Sequence, residues 1–247
     1  MTTWLDTNSW PWQPSFYDTT EGKLHYVDTG EGPPVLFSHG TPTWSYDWRH
    51  LIRRLHPTHR CIAVDHLGFG LSERPSVGYR PEDHAMRFAE FADSLDVQDA
   101  TVVIHDFGGP IALRWVLDNI DRVSRVVILN TWAWPLNDNP TIAWGSWLFG
   151  TALGKWLYGT VNVSLNVLAP SAVASRASWD AVKDHYHPVF PDYTSRTTTL
   201  WPLAAALTQS ADFYAGLERD LSRLAGVEVD VIWGLSDTAL STKLRDR

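Results

Sequence analysis

The residues best equipped for chemistry stand in Ile104-His105-Asp106-Phe107-Gly108-Gly109. An apolar, β-branched run from Thr101 to Ile104 precedes them, and a helical pattern from Pro110 to Leu117 follows. A strand, a sharp turn of small residues and a helix lift the central side chain clear of the backbone, the layout of a nucleophile elbow. Serine usually fills that position, and Asp106 fills it here. A carboxylate nucleophile makes an ester with the protein itself, by displacement at carbon, rather than accepting an acyl group as serine does. The other reactive side chains fall at the ends of predicted strands: His39-Gly40-Thr41-Pro42, Asp65, Asn130 and Asp237.

The elements that position them follow from the hydrophobic pattern. Phe16 to Thr20 and Lys23 to Asp28 alternate polar and apolar around Glu21-Gly22, which predicts an antiparallel hairpin at a sheet edge. Val35-Leu36-Phe37, Cys61-Ile62-Ala63-Val64, Thr101 to Ile104, Val126 to Leu129 and Val229 to Trp233 read as buried strands. Helices are predicted over Tyr46 to Leu55, with Trp48, Leu51, Ile52 and Leu55 on one face, and over Pro81 to Leu95. Apolar strands alternating with helices imply an α/β fold, a mostly parallel, doubly wound sheet covered on both faces. Such sheets place their sites at the carboxyl ends of the strands. The alternation stops after Asn130. The Trp-, Ala- and Thr-rich segment that follows is too long for a loop. Residues 131–211 are therefore expected to form an inserted helical cap, and residues 1–130 with 212–247 the core.

Composition bounds the reading. The chain has 247 residues, 44% hydrophobic and 19% charged, enough for one α/β domain with a sizeable core. The net charge of -8 is spread rather than blocked, which argues against nucleic acid or an anionic membrane as partner. Cys61 is the only cysteine, so no disulfide can form within the chain. Met1-Thr2-Thr3-Trp4 lacks a signal-peptide pattern, and a cytoplasmic location is expected. The apolar stretch Ile142 to Leu157 is broken by Gly145, Gly150, Gly154 and Lys155 and is too short to span a bilayer. Nothing in the sequence fixes an oligomeric state.

Four ordered motifs carry a resemblance. His39-Gly40-Thr41-Pro42-Thr43-Trp44, Asp65-His66-Leu67-Gly68-Phe69-Gly70-Leu71-Ser72-Glu73-Arg74-Pro75, His105-Asp106-Phe107-Gly108-Gly109-Pro110 and Asn130-Thr131-Trp132 are similar to those of haloalkane dehalogenases. These are α/β-hydrolases with an Asp nucleophile and a helical cap. Trp233-Gly234-Leu235-Ser236-Asp237 resembles the segment that carries the triad acid. The resemblance implies that Asp106 attacks the carbon bearing the halogen and expels halide, leaving an alkyl ester. A histidine oriented by Asp237 would then activate water, giving an alcohol from a small apolar halogenated substrate, with no cofactor and no metal. The backbone N–H groups of Phe107 and Thr41 would form the oxyanion hole. Asn130 stands where one branch of the family keeps a Glu, which favours the branch whose acid comes later, at Asp237.

The sequence also departs from that pattern. The family usually holds the leaving halide with a Trp directly after the nucleophile and, in several branches, an Asn after His-Gly. This chain has Phe107 and Thr41. With Asn130 and Trp132 these two complete the expected oxyanion and halide site, and Trp134, Trp144 and Trp147 are further candidates for an indole donor. In the family the catalytic histidine follows one more strand after Asp237. None of the ten histidines here matches it, so a C-terminally truncated hydrolase is expected, lacking the last strand and helix and unable to complete turnover. Two other functions compete. An epoxide hydrolase would use the same Asp with a pair of cap tyrosines, from Tyr158, Tyr186 and Tyr193. A non-catalytic binding protein on the same fold would leave Asp106 unmodified.

Several residues have plainer readings. Asp106 could satisfy turn donors and Asp237 could cap a helix over Thr238 to Leu244. Asp65 is expected to organise its glycine-rich turn. His39 and His105 are expected to be structural, and His185 and His187 lack metal-ligand spacing.

Overall fold

In the computed structural model, residues 4–173, 175–237 and 240–246 are described. The chain enters through β1 (Ser15–Asp18) and β2 (Lys23–Thr29), which pair antiparallel with Phe16 opposite His25. β3 (Pro34–Ser38), β4 (Arg60–Val64), β5 (Ala100–His105), β6 (Val123–Leu129) and β7 (Glu228–Ile232) run parallel, and β2 joins them antiparallel along β4. Among the described residues the sheet order is β1-β2-β4-β3-β5-β6-β7. Val35, Leu36, Phe37, Ile62, Ala63, Val102 and Ile104 are buried, as expected of central strands covered on both faces. Truncating Leu36, Phe37, Ile62 or Ile104 to Ala costs about 2–5 kcal/mol.

Three helices make the crossovers. α1 (Arg49–Leu55) connects β3 to β4, α2 (Pro81–Ser94) connects β4 to β5, and α3 (Gly108–Asp118) connects β5 to β6. Pro81 opens α2, where a lost N–H costs nothing, and the Asp83 carboxylate accepts from the Arg80 N–H at 2.8 Å. The predicted helix from Tyr46 to Leu55 differs in its first turn. Ser45–Trp48 is a tighter 3-10 turn, which shifts the angular register, and Leu51 faces outward at 40% exposure.

The parallel register brings the site together. Ser38 pairs with Val64 and with Ile104, His105 with Leu129, and Leu129 with Ile232. The residues that follow each strand therefore leave the sheet along one edge, namely His39 to Thr41, Asp65, Asp106, Asn130 and the run to Asp237.

Between β6 and β7 the chain is helical. The helix Pro140–Phe149 is capped by Asn139, whose side-chain oxygen accepts from the N–H groups of Thr141 and Ile142. Helix Ala152–Trp156 runs into π-helical turns at Leu157–Val161 and Ser164–Leu168, and a third, Arg196–Leu200, leads into the helices Trp201–Gln209 and Ala211–Asp220. Hydrogen bonds tie this segment to the sheet domain. Trp44 Nε1 donates to the His185 carbonyl at 2.9 Å, Arg74 donates to the Val189 carbonyl at 2.8 Å, and the Tyr186 hydroxyl donates to Asp47 at 2.5 Å. The helix expected over Thr238 to Leu244 is a single turn, Thr242–Arg245; Thr238 and Ala239 lie outside the described residues. No described helix is long and apolar enough to cross a membrane.

Candidate active site

Asp106 sits at the tip of the β5–α3 turn with φ of 50°, in the left-handed region that a non-glycine residue seldom adopts. Its backbone is tied on both sides. The Asp106 N–H donates to the Asn130 carbonyl at 3.0 Å, and its carbonyl accepts from the Thr131 hydroxyl at 2.6 Å. The two glycines that follow are steric requirements. A Cβ on Gly108 would lie 2.2 Å from the Ser38 carbonyl oxygen, and one on Gly109 would lie 1.8 Å from Thr131 Oγ1.

The carboxylate is held by one oxygen. Asp106 Oδ1 accepts from the Phe107 N–H at 2.6 Å and from the Thr41 N–H at 3.2 Å. Gly40 gives it room, since a Cβ there would lie 2.6 Å from Oδ1. Oδ2 makes no hydrogen bond among the described residues. Burial raises the Asp106 pKa above the usual carboxylate range. His105 and the two N–H donors work against the rise, and the charge of Asp237 adds to it. A desolvated carboxylate lacks the water shell that would otherwise blunt its attack.

Asp237 and Asn130 form a second unit on the same edge. Asn130, with φ of 29°, donates from Nδ2 to Asp237 Oδ2 at 2.7 Å and accepts on Oδ1 from the Gly234 N–H at 2.8 Å. Its amide therefore clamps the end of β7 and fixes the Asp237 carboxylate. It does not line the cavity, which removes it from the expected leaving-group site. Asp237 also accepts from the Leu240 N–H at 2.8 Å, so it caps a turn and faces the cavity at once. Asp65 is fully buried and accepts from Ser45 N–H, Leu71 N–H and His25 Nδ1, each at 2.8 Å. Burial opposes its charge, but His25 beside it, with His39 and Ser45, holds its pKa below the usual value. It organises the turns that carry the site and does not line the cavity.

Asp106 forms part of the wall of a cavity of about 870 Å³, with Thr41, Phe107, Trp132, Phe149, Tyr158, Leu207 and Asp237 among its lining. Of the four tryptophan candidates, Trp132 faces this cavity. It is 2% exposed, its ring meets Phe107 edge-on at 4.8 Å, and its Nε1 has no hydrogen-bond partner. Trp144 and Trp147 point outward, at 64% and 65% exposure. Tyr214 stands next to Trp132, buried, its hydroxyl making no bond of hydrogen-bond geometry. Of the three tyrosines, Tyr158 alone lines the cavity. Tyr186 is spent on Asp47, and Tyr193 is exposed with its ring against Gly159. The converging tyrosine pair expected of an epoxide hydrolase is absent from the cavity lining.

The histidines are placed elsewhere. All ten belong to the described residues and none lines the cavity. His39 accepts from the His66 N–H at 3.0 Å, and His66 bonds the Ser38 hydroxyl at 3.0 Å. His185 stacks on Tyr46 at 4.5 Å. No described group of His, Cys, Asp and Glu is arranged to hold a metal ion.

Comparison with known proteins identifies the family. A family model described as alpha/beta hydrolase fold matches residues 33–223. Haloalkane dehalogenase 2 of Mycobacterium tuberculosis is 35% identical over 240 residues, covering 96% of this chain and 83% of that protein. The chain belongs to the haloalkane dehalogenase family. The crystal structure of the ancestral haloalkane dehalogenase AncHLD2 superposes with a TM-score of 0.77 at 28% identity, over 93% of this chain and 85% of that one. A cis-3-alkyl-4-alkyloxetan-2-one decarboxylase of Shewanella oneidensis is 30% identical, over 92% of this chain and 74% of its own length. Membership of the dehalogenase family therefore leaves the leaving group to be argued from the site itself. Sequence reasoning named Asp106, Asp237, Thr41, Phe107 and Trp132, all of which line the cavity. It missed the clamp made by Asn130, whose only signal was an Asn at the end of a strand facing a later acid.

Proposed function

We propose that this chain is a hydrolase that displaces halide from a haloalkane carbon with the Asp106 carboxylate. The observation that carries the reading is the single-oxygen grip on that carboxylate. Oδ1 is fixed by the N–H groups of Thr41 and Phe107, and the unbonded Oδ2 is free to attack in line. The Oδ2–carbon bond forms as the carbon–halogen bond breaks, and the halide leaves with the electron pair. The same two N–H groups would then stabilise the oxyanion formed when water attacks the ester. The raised pKa of Asp106 suits an apolar substrate in a dry cavity, where a poorly solvated carboxylate is the stronger nucleophile.

Residues 131–211 act as the cap that closes over Asp106 and sets the size of the cavity. Asp237, clamped by Asn130, is the acid that would orient a histidine base. No histidine of this chain lines the cavity, so the 247-residue chain accumulates the alkyl ester instead of completing turnover. Trp132 supplies the leaving group with the indole N–H that Phe107 lacks. The epoxide reading is the weaker one, because Tyr158 alone of the three tyrosines faces the site.

Intact mass measurement after incubation with 1-bromobutane tests the reading. One butyl group on Asp106, released halide equal to protein, and no adduct on Asp106→Asn are expected. Steady multiple-turnover halide release would refute the stalled ester. An unmodified protein would refute the displacement and support a binding role.

A further inference from the structure

The outer face of the segment between β6 and β7 is built unlike an ordinary protein surface. The helix Pro140–Phe149 carries no charged residue. Ser146 fixes its inner side: the hydroxyl donates to the Ala205 carbonyl at 2.9 Å and bonds Thr208 Oγ1 at 2.9 Å, both on the helix Trp201–Gln209. Trp144 and Trp147 lie one turn apart on the outer side, at 64% and 65% exposure. Two residues after that helix, Ala152–Trp156 begins, and Leu153 and Trp156 repeat the spacing at 55% and 49% exposure. Of the fourteen tryptophans, these three are the exposed ones among the described residues. A surface helix turns charge to water, and a solvated face seldom carries several large apolar side chains together. This one turns out indoles.

The charge of the stretch is equally distinctive. In a chain of net charge -8, residues 139–179 contain no Asp or Glu. Asp138 and Asp180 bound the stretch, and Lys155 and Arg176 are its cations. Arg176 reaches back to Asp180 at 3.5 Å, and the Lys155 ammonium lies over the Trp201 ring at 4.8 Å. The cavity opens beside this face, since Thr141 and Leu168 line it and are both exposed. A second copy packed face to face here would meet Lys155 with no acid from the same stretch, so the surface does not complement itself in charge. A layer of lipid headgroups supplies what the face lacks. Phosphate pairs with Lys155, ester carbonyls accept from the indole N–H groups, and the acyl boundary takes the rings and Leu153.

We infer that Trp144, Trp147, Leu153 and Trp156 form a docking surface for a zwitterionic lipid bilayer, with the mouth of the cavity beside it. The rings enter at headgroup depth and no helix crosses. The negative charge spread over the rest of the chain opposes an anionic surface, which selects zwitterionic lipid. The inference stands apart from the chemistry assigned to Asp106.

Flotation with dioleoylphosphatidylcholine vesicles tests it. The 247-residue chain is expected to float with the vesicles, and less so when a third of the lipid is phosphatidylglycerol. Trp144→Gln, Trp147→Gln and Trp156→Gln are each expected to lower the partition coefficient by about fivefold, the worth of partly burying one large apolar side chain. The triple variant is expected to stay in solution. Met86→Gln and Val231→Thr change exposed apolar residues elsewhere, at 63% and 52% exposure, and should leave flotation unmoved. Thermal melts check that each variant is folded. Sedimentation without lipid reads the competing occupant. Absence of flotation, flotation equal in the folded tryptophan variants, or tighter binding to the phosphatidylglycerol vesicles overturns the inference. A dimer in solution that the same tryptophan substitutions disperse also overturns it and gives the face to a second copy.

Discussion

Gly109→Ala probes the elbow directly. The added methyl would lie 1.8 Å from Thr131 Oγ1, 2.7 Å from Thr131 Cβ and 2.8 Å from its Cγ2. Ordinary carbon contacts sit at about 3.5–4.0 Å, so Thr131 must retreat or α3 must lift from β6. Either movement breaks the 2.6 Å bond from the Thr131 hydroxyl to the Asp106 carbonyl, one of the ties that hold Asp106 at positive φ. Overpacking costs about 1–3 kcal/mol and the lost bond about 0.5–1.5 kcal/mol, together about 2–4 kcal/mol. At about 2–4 °C per kcal/mol for a chain of this size, the melting temperature falls by about 4–16 °C. Thr131→Ala removes Oγ1 and Cγ2 but keeps Cβ, so in the Gly109→Ala background it restores part of the loss. The double-mutant cycle by urea or thermal denaturation is expected to give about 1–2 kcal/mol of favourable coupling. A Gly109→Ala protein as stable as the parent, or strictly additive costs, would refute the argument that Gly109 exists to admit Thr131.

Four further outcomes follow from the site. Because burial raises the folded pKa of Asp106, its charge costs stability above that pKa, and the cost disappears as pH falls through it; Asp106→Asn should therefore melt higher than the parent at pH 7, with the gap closing in acid. The same shift places the fall in alkylation rate at a higher pH than for an ordinary carboxylate, measured as butyl adduct formed against pH. Asn130→Ala strands Asp237 Oδ2 and the Gly234 N–H, at a cost of about 1–3 kcal/mol in thermal or urea melts. Asp65→Ala removes the acceptor of three 2.8 Å bonds and leaves His25 buried without its partner, costing about 3–5 kcal/mol; Asp65's depressed pKa also means that the stability it contributes is held at neutral pH and lost as pH falls through its folded value.

Much of the core was legible because its signals are local. Val35 to Phe37, Cys61 to Val64 and Thr101 to Ile104 are apolar runs that can be satisfied only inside a covered sheet, and each leads straight into a residue of the site. Parallel register then does the rest without further specification, since strands that start together deliver Thr41, Asp106 and Asp237 to one edge. The first turn of the helix after Trp44 was not legible, because the change from 3.6 to three residues per turn leaves no mark in the hydrophobic pattern. Asn130 was misread for a related reason. Its type suggests a donor to substrate, but at φ of 29° the side chain turns across to β7, and the choice between those directions belongs to one backbone angle.

The segment between β6 and β7 was the least legible, and it supplies most of the cavity lining. Its helices Pro140–Phe149 and Trp201–Gln209 are apolar on nearly every side, so no stripe in them distinguishes the residues that face Asp106 from those that face water. Trp132, Trp144 and Trp147 look alike in the sequence, yet one is buried over Phe107 and the other two are exposed. Tyr158, Tyr186 and Tyr193 divide in the same way among cavity, Asp47 and surface. The elbow at Asp106 and the two N–H groups that hold its carboxylate are written in backbone and motif, where a change of residue is costly. The rest of the cavity wall is written only in which of several similar side chains the packing turns inward.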